Sequence, residues 1–440
     1  MHESDARITG NCGFDLKNSF RKIPGSICAP RGFKCAAVFC DIKKLGTGKG
    51  SEKGRKDDLA LIVSDIPAAV AGMFTTNQVC AAPVKISRKV AARHFARAIV
   101  VNSGNANAAT GEQGMKDARL MTKLAAKALS LNENGVFVCS TGRIGVAMPM
   151  KNVERGIRMC APRIARSTSN ARKVAAAIMT TDTRRKEVAV EFKIGRSTIR
   201  IGGICKGAGM IQPGMATMLG FITTDAAIEP AALKRALKIA VGQSFNRISV
   251  DGDMSTNDSV IILANGLAEN SKFTIRDSQF QSALNHVCLE LAKMIVRDGE
   301  GTSRVVALDV RGARNDREAE IAGRAIGNSS LVRASWCGGD PNWGRILCAL
   351  GYSKAKIDET KVDVGYAPTG NRKILFAFRR GRPTNVALKA LAKITSQPEF
   401  DLHVDLHRGR GEFVLYAADL TEDYVAFNKG DVNDPATLGG

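Results

Sequence analysis

The segment Lys206-Gly207-Ala208-Gly209-Met210-Ile211-Gln212-Pro213-Gly214-Met215-Ala216-Thr217-Met218-Leu219-Gly220-Phe221-Ile222-Thr223-Thr224-Asp225 lies near the middle of the chain and constrains it most. Its first half is rich in glycine and carries one lysine, the composition of a loop. From Thr217 onward it is apolar and ends in β-branched residues, the composition of a buried strand. A threonine at the seam, directly after a flexible Gly-Met-Ala, has two readings. It either packs at the start of a strand or becomes a free N-terminus after a cut, and composition alone leaves both open.

The flanking sequence supplies sheets and helices for that strand. Apolar runs bounded by turn signals predict strands over 35–40, 59–63, 68–74, 98–101, 136–139, 260–264 and 305–310. Helical spacing of apolar residues predicts helices over about 115–129, 153–159, 230–240, 278–296 and 317–326. Residues 186–194 and 197–201 alternate around Gly195-Arg196, a hairpin that delivers the chain into the central segment. The stretch 102–111 reads as a loop after a strand. Strands and helices mix on both sides of the centre, so the expected fold is an α/β layered protein with sheets stacked against helices.

Several classes are excluded. No run of about 18 apolar residues exists to span a membrane. The N-terminus lacks the apolar centre of a secretory signal, and Glu3, Asp5 and Asp15 are foreign to an organellar transit peptide. Residues 1–31 are expected as a poorly ordered extension, and the chain as cytoplasmic. Eleven cysteines are scattered without a CxxC, the usage of a reducing compartment. The net charge of +22 attracts nucleic acid and carboxylate substrates alike. The basic residues are spread along the length, and 5% aromatic content is too little for a base-stacking platform. The expectation is small anionic substrates, with no nucleic acid and no membrane.

For chemistry, Thr217 leads. A hydroxyl needs an activating base. If the Ala216–Thr217 bond is cut, the new α-amine, with an unperturbed pKa of about 7.7–8.0, lies beside that hydroxyl and takes its proton without a histidine. Only His2, His94, His286, His403 and His407 exist. His403 and His407 have no cysteine partner at zinc spacing, so no metal is expected. Ser140-Thr141-Gly142 at a strand end is either an ordinary turn or a pair of donors for a developing oxyanion. Lys206 suits a substrate carboxylate or the cut itself. Glu300, on the turn Asp298-Gly299-Glu300-Gly301, suits a substrate ammonium, or simply a solvated helix end. The acidic run Asp251-Gly252-Asp253-Met254-Ser255-Thr256-Asn257-Asp258 fails the EF-hand spacing and reads as Asx-type turns. Gly338-Gly339-Asp340-Pro341-Asn342-Trp343-Gly344-Arg345 reads as a tight loop.

Taken together these segments resemble the ornithine acetyltransferase family, the bifunctional-type glutamate N-acetyltransferases of arginine biosynthesis. The matching pieces are 102–111, Ser140-Thr141-Gly142, Ile178-Met179-Thr180-Thr181-Asp182-Thr183, 206–225, 251–258, Val296-Arg297-Asp298-Gly299-Glu300-Gly301 and 338–345. They run in the family's order and cover about residues 32–430. The resemblance implies a two-domain, N-terminal-nucleophile-type acyltransferase that cuts itself between Ala216 and Thr217. An α chain of 32–216 behind the extension and a β chain of 217–440 would assemble as an α2β2 heterotetramer. It implies ping-pong transfer of acetyl from N2-acetylornithine to glutamate through an acetyl-enzyme on Thr217. Thr141 and Gly142 would form the oxyanion hole, and Thr180, Lys206, Thr217, Glu300, Asn428 and Asn433 would contact substrate. No cofactor is implied, and acetyl-CoA stands open as a second acetyl donor.

The chain departs from the family near its end. The pattern Asn-x-x-Tyr-x-Thr/Ser keeps Asn428 but has Asp431 and Asn433 at its later positions. Arg143 replaces the small or apolar residue usual after Ser-Thr-Gly. Two other classes therefore stay open: an N-terminal-nucleophile aminopeptidase or amidase that passes the acyl group to water, and a non-catalytic basic binding relative.

Overall fold

A computed structural model describes residues 20–43, 56–212, 218–268 and 278–429. Its first sheet is built from β1 (Phe20–Lys22), β2 (Phe33–Val38), β3 (Leu59–Phe74), β4 (Phe95–Asn105), β5 (Val136–Arg143), β6 (Lys186–Ile194), β7 (Ser197–Lys206), β8 (Leu219–Thr224) and β10 (Ser259–Ala264). The order is β1-β6-β7-β8-β10-β3-β4-β5, with β2 also on β3. The expected hairpin is β6 and β7, antiparallel through Ile194↔Ser197.

The strands expected over 59–63 and 68–74 are one bent strand. Between Val63 and Ala68 the ladder to β4 is interrupted, and Pro67, which has no N–H to donate, falls in that interruption. Before the bend, Leu59 and Leu61 face one core and Ala60 and Ile62 another. After it, Ala68 and Val70 stay in the second core while Ala69 and Ala71 enter a third. This period-2 alternation carries one sheet through two orientations.

The shared inner core holds Phe33, Phe137, Phe221 and Ile261 with Val174 of α4 (Thr168–Ala177). One outer face is covered by α2 (Gly111–Ala128) and α3 (Met150–Cys160), with Ala82 and Ile86 of α1 (Ala82–Ala91). The other carries α5 (Pro230–Gly242) and α6 (Ser278–Arg297). Helix α4 has little periodic signal and was not expected. Ser167 caps it by accepting the Asn170 N–H.

The second sheet comprises β9 (Ile248–Ser249), β11 (Val305–Ala313), β12 (Asp363–Pro368), β13 (Leu375–Arg379), β14 (Arg382–Pro383), β15 (Glu399–Asp405) and β16 (Gly411–Ala418). Its order is β14-β13-β12-β15-β11-β16-β9. Its core is shared with α7 (Asp316–Gly327), α8 (Ser330–Cys337), α9 (Trp343–Tyr352) and α10 (Leu388–Thr395). The short α11 (Glu422–Phe427) follows the last strand. The α/β layered expectation holds: two sheets pack against helices.

Three expectations change. The segment from Phe20 to Arg31, expected as part of a poorly ordered extension, is built into the fold. β1 pairs with β6, and Ile27 and Cys28 enter the inner core. Residues 1–19 lie outside the described residues. The loop expected at 102–111 begins only after Asn105, where β4 ends. The tight loop expected at 338–345 closes into α9 from Trp343, capped by Asn342 accepting the Arg345 N–H. The first sheet runs across position 216/217, with β7 before it and β8 and β10 after it.

Among the described residues no helix is long and apolar enough to cross a membrane.

Candidate functional site

The parallel pair β4 and β5 loses its regular register at its end. Gly104 stands opposite Gly142, and Asn105 opposite both Thr141 and Arg143. Gly142 has φ +127°, and a Cβ there would lie 2.4 Å from the Gly104 carbonyl carbon and 2.6 Å from the Asn105 nitrogen. Only glycine fits both the backbone angle and the gap. Thr141 beside it is buried. The strand end is fastened by amide side chains: Ser140 Oγ donates to Asn102 Oδ1 at 2.6 Å, and Asn257 Nδ2 donates to the carbonyls of Ser140 (2.9 Å) and Ala106 (2.6 Å). A group so fixed does not reorganise when charge develops next to it, which is the requirement for an oxyanion receiver.

Lys206 closes β7, almost wholly buried, with Nζ 3.5 Å from Thr141 Oγ1 and 3.9 Å from Asp182 Oδ2. Burial lowers its pKa from the usual lysine value, with the Asp182 charge opposing. Asp182 explains how a cation survives here. Its Oδ1 accepts from Lys186 Nζ at 2.6 Å and the Gly207 N–H at 2.7 Å, and its Oδ2 from the Thr180 N–H at 3.1 Å. Burial alone would raise its pKa; the charges of Lys206 and Lys186 and the Gly207 amide outweigh burial and hold it at about 2.

Lys186 continues the chain to Asp298, Nζ to Oδ2 at 2.5 Å. Burial disfavours its charge, but Asp182 and Asp298 more than compensate and raise its pKa. Asp298 also accepts from the Thr183 and Arg184 N–H groups and the Thr183 hydroxyl. The loop carrying Thr180 is thereby tied to the start of the central segment on one side and to the end of α6 on the other. A cavity of about 760 Å³ lies against this loop, and Lys43, Lys56, Arg172, Lys173, Arg184 and Arg185 give it a cationic wall.

Glu300 reaches the same place from the turn after α6. Its N–H donates to the Ala208 carbonyl at 2.9 Å, and its Oε2 accepts from Asn428 Nδ2 at 3.1 Å. A Cβ on Gly209 would fall 2.4 Å from that Oε2, so glycine there lets the carboxylate approach the backbone. Burial raises the Glu300 pKa, with hydrogen bonds from Thr181 and Asn428 opposing. Gly301 (φ +66°) lets α11, which delivers Asn428, pack against the turn; a Cβ there would meet the Tyr424 nitrogen at 2.3 Å.

The fold thus draws Thr141, Gly142, Thr180, Lys206, Glu300 and Asn428 to the start of the glycine-rich half of the central segment, around residues 206–209. Ala216, Thr217 and Asn433 lie outside the described residues. The first described residue after them, Met218, donates its N–H to Asp258 Oδ1 at 2.9 Å.

Sequence reading missed Asp182, Lys186 and Asp258 as parts of the site. Asp182 stood in a quoted segment directly after Thr180 and Thr181, so its place was legible, but its pairing depends on contacts made by the fold. The acidic run 251–258 does form an Asx-type turn, with the Asp253 N–H on Asp251 Oδ1 at 3.1 Å. His403 and His407 pair with carboxylates within the second sheet, His403 Nδ1 with Asp309 at 3.4 Å and His407 Nε2 with Asp363 at 2.9 Å.

Comparison with known proteins gives one answer. Residues 36–430 match the model of the ArgJ family. The chain is 45% identical over 409 residues to the arginine biosynthesis bifunctional protein ArgJ of Symbiobacterium thermophilum, covering 92% of this chain and 98% of that one. It is 43% identical over 415 residues to the glutamate N-acetyltransferase of Methanocaldococcus jannaschii, covering 93% and 98%. Among solved structures, the ornithine acetyltransferase of Mycobacterium tuberculosis complexed with ornithine matches at 33% identity and TM-score 0.39, covering 44% of this chain and 98% of that one.

Proposed function

This chain belongs to the ArgJ family, and from that premise we propose that it transfers acetyl from N2-acetylornithine to glutamate, releasing ornithine and forming N-acetylglutamate. The observation that carries the reading is the convergence of Thr141, Gly142, Thr180, Lys206, Glu300 and Asn428, from distant segments, around the loop that leads to Thr217.

The first step is self-cleavage. The Thr217 hydroxyl attacks the Ala216 carbonyl carbon; a C–O bond forms, the C–N bond breaks, and the hydroxyl proton ends on the new amine. Water then opens the ester, giving an Ala216 carboxylate and a free Thr217 with α-amine and hydroxyl together. In transfer, that amine takes the hydroxyl proton while the oxygen attacks the acetyl carbonyl of N2-acetylornithine. The Thr141 hydroxyl and the Gly142 N–H receive the oxyanion. Ornithine leaves with the proton, and the glutamate amine then attacks the acetyl ester in the second half of a ping-pong cycle. Glu300 and Asn428 hold the ornithine ammonium, while Lys206 and the neighbouring cationic wall favour carboxylates.

The two pieces stay together because they share a sheet. β8 and β10 follow the cut, yet β8 pairs with β7 and β10 with β3 over six residues each. An α2β2 assembly and a cytoplasmic location complete the proposal, and the free thiols of the described cysteines suit a reducing compartment. Acetyl-CoA is the candidate second donor, with no resident cofactor.

A denaturing gel with N-terminal sequencing tests the cut: two fragments, one beginning at Thr217, are expected in place of a 46.9 kDa chain. The Thr217→Ala chain stays whole. Ornithine release that depends on glutamate separates this enzyme from an amidase passing acetyl to water. Assays with N2-acetylornithine and acetyl-CoA supplied separately define the donors.

A further inference from the structure

We propose that Asp251 and Asp258 are positioning residues that brace the two ends of the segment to be cut, and so set the rate of self-cleavage. The proposal rests on the reading that the chain cuts itself between Ala216 and Thr217.

One loop, between β9 and β10, holds both flanks of residues 213–217. On the upstream side Asp251 accepts the N–H groups of Met210 (2.5 Å) and Ile211 (2.8 Å). Ile211 also pairs with Met254, and its carbonyl accepts the Val250 N–H at 2.9 Å. On the downstream side Asp258, fully buried, accepts the Met218 N–H at 2.9 Å, and the Ser259 N–H donates to the Met218 carbonyl at 3.0 Å. Asp258 Oδ2 is enclosed and has no hydrogen-bond partner among the described residues. The nearby Thr75 hydroxyl donates instead to the Ser255 carbonyl at 2.7 Å. Burial pushes the Asp258 carboxyl well above the ordinary range, with the Met218 N–H and the Lys206 charge opposing.

The brace matters because the attacking hydroxyl and the scissile carbonyl belong to adjacent residues of a Gly-Met-Ala-Thr run. Ordering such a run costs backbone entropy at every residue. Anchoring both ends by hydrogen bonds to a single loop removes part of that cost before the reaction begins. The two anchors then part in function. Asp251 holds residues upstream of the cut, so its tie to the nucleophile ends when the bond breaks. Asp258 holds Met218, which stays covalently joined to Thr217 throughout transfer.

The test uses full-length chain carrying Asp251→Ala, Asp258→Ala or Asp258→Asn. Precursor conversion is timed on gels, transfer is measured per cut molecule, and folding is checked by near-UV dichroism and thermal unfolding. Asp251→Ala is expected to slow cutting about tenfold or more, and to lower transfer per cut molecule far less. Asp258→Ala is expected to slow both. Asp258→Asn keeps an acceptor for the Met218 N–H in the same volume and is expected to recover most of the cutting rate. Folded alanine variants that cut as fast as wild type overturn the proposal. So does an asparagine variant no better than alanine, or cutting and transfer that fall together in step with lost thermal stability. A wild-type chain that never cuts removes the self-cleavage reading itself; a wild type that cuts beside unaffected variants removes only the brace.

Discussion

Gly142 at the end of β5 faces Gly104 at the end of β4 so closely that a Cβ on Gly142 would lie 2.4 Å from the Gly104 carbonyl carbon. Gly142→Ala combines this clash with a positive φ. It is expected to lower acetyl transfer by about 10²–10³-fold by displacing the oxyanion donors proposed for Thr141 and Gly142. Steady-state kinetics on the cut fraction, with dichroism to confirm folding, check this.

Asp182 gives a signed pH dependence. Its pKa is held at about 2 against 3.8 for an ordinary aspartate. Its contribution, roughly 2 kcal/mol, is therefore fully present above about pH 4 and is lost as pH falls through about 2. Asp182→Asn leaves Lys186 and Lys206 short of a counter-charge and is expected to destabilise the chain by about 3 kcal/mol at neutral pH. It also removes this part of the acid loss. Urea unfolding from pH 2 to pH 7 measures both effects.

Lys206 acts in the same direction at the alkaline end of the scale. Its pKa is lowered by burial, so the unfolded chain binds more protons between that lowered value and the ordinary 10.5. Stability consequently climbs with pH across that window, and Lys206→Met is expected to abolish the climb. The same variant loses a cation beside Thr141 and is expected to transfer acetyl about 10²-fold more slowly. Unfolding at alkaline pH and single-turnover transfer separate the two consequences.

Glu300, raised above 4.5 by burial and faced by Lys206, Asp251, Thr181 and Asn428, loses its charge at a higher pH than an ordinary glutamate. The kcat/KM for N2-acetylornithine is expected to fall on the acid side as this carboxylate protonates. Glu300→Gln should flatten that limb and raise KM about tenfold while cutting continues. An unchanged acid limb in the variant would assign the titration to another group.

The strand that follows the glycine-rich run, the Ser-Thr-Gly strand end and the Glu300 turn were legible because their residue patterns are local. A glycine-rich run meeting a β-branched run announces a loop-to-strand seam wherever it folds. The alternation of β6 and β7 announced a hairpin for the same reason. Helix α4 and the two-residue strands β9 and β14 carried too little periodic contrast to be read, because tertiary packing rather than pattern decides such short elements.

By itself the sequence determined the buried strand β8 that follows the glycine-rich run, and the residue types offered near it, since hydroxyl, glycine and carboxylate chemistry travel with the residue. It also determined the α/β class, since hydrophobic period is a property of neighbouring residues. Only the tertiary structure decided that Asp182 would sit between Lys186 and Lys206, that Asp258 would grip Met218, and that β8 and β10 would bind the two sides of position 217 into one sheet. Those relationships join residues far apart in the chain. They exist because burying a charge or a backbone N–H demands a partner, and the fold alone selects which one.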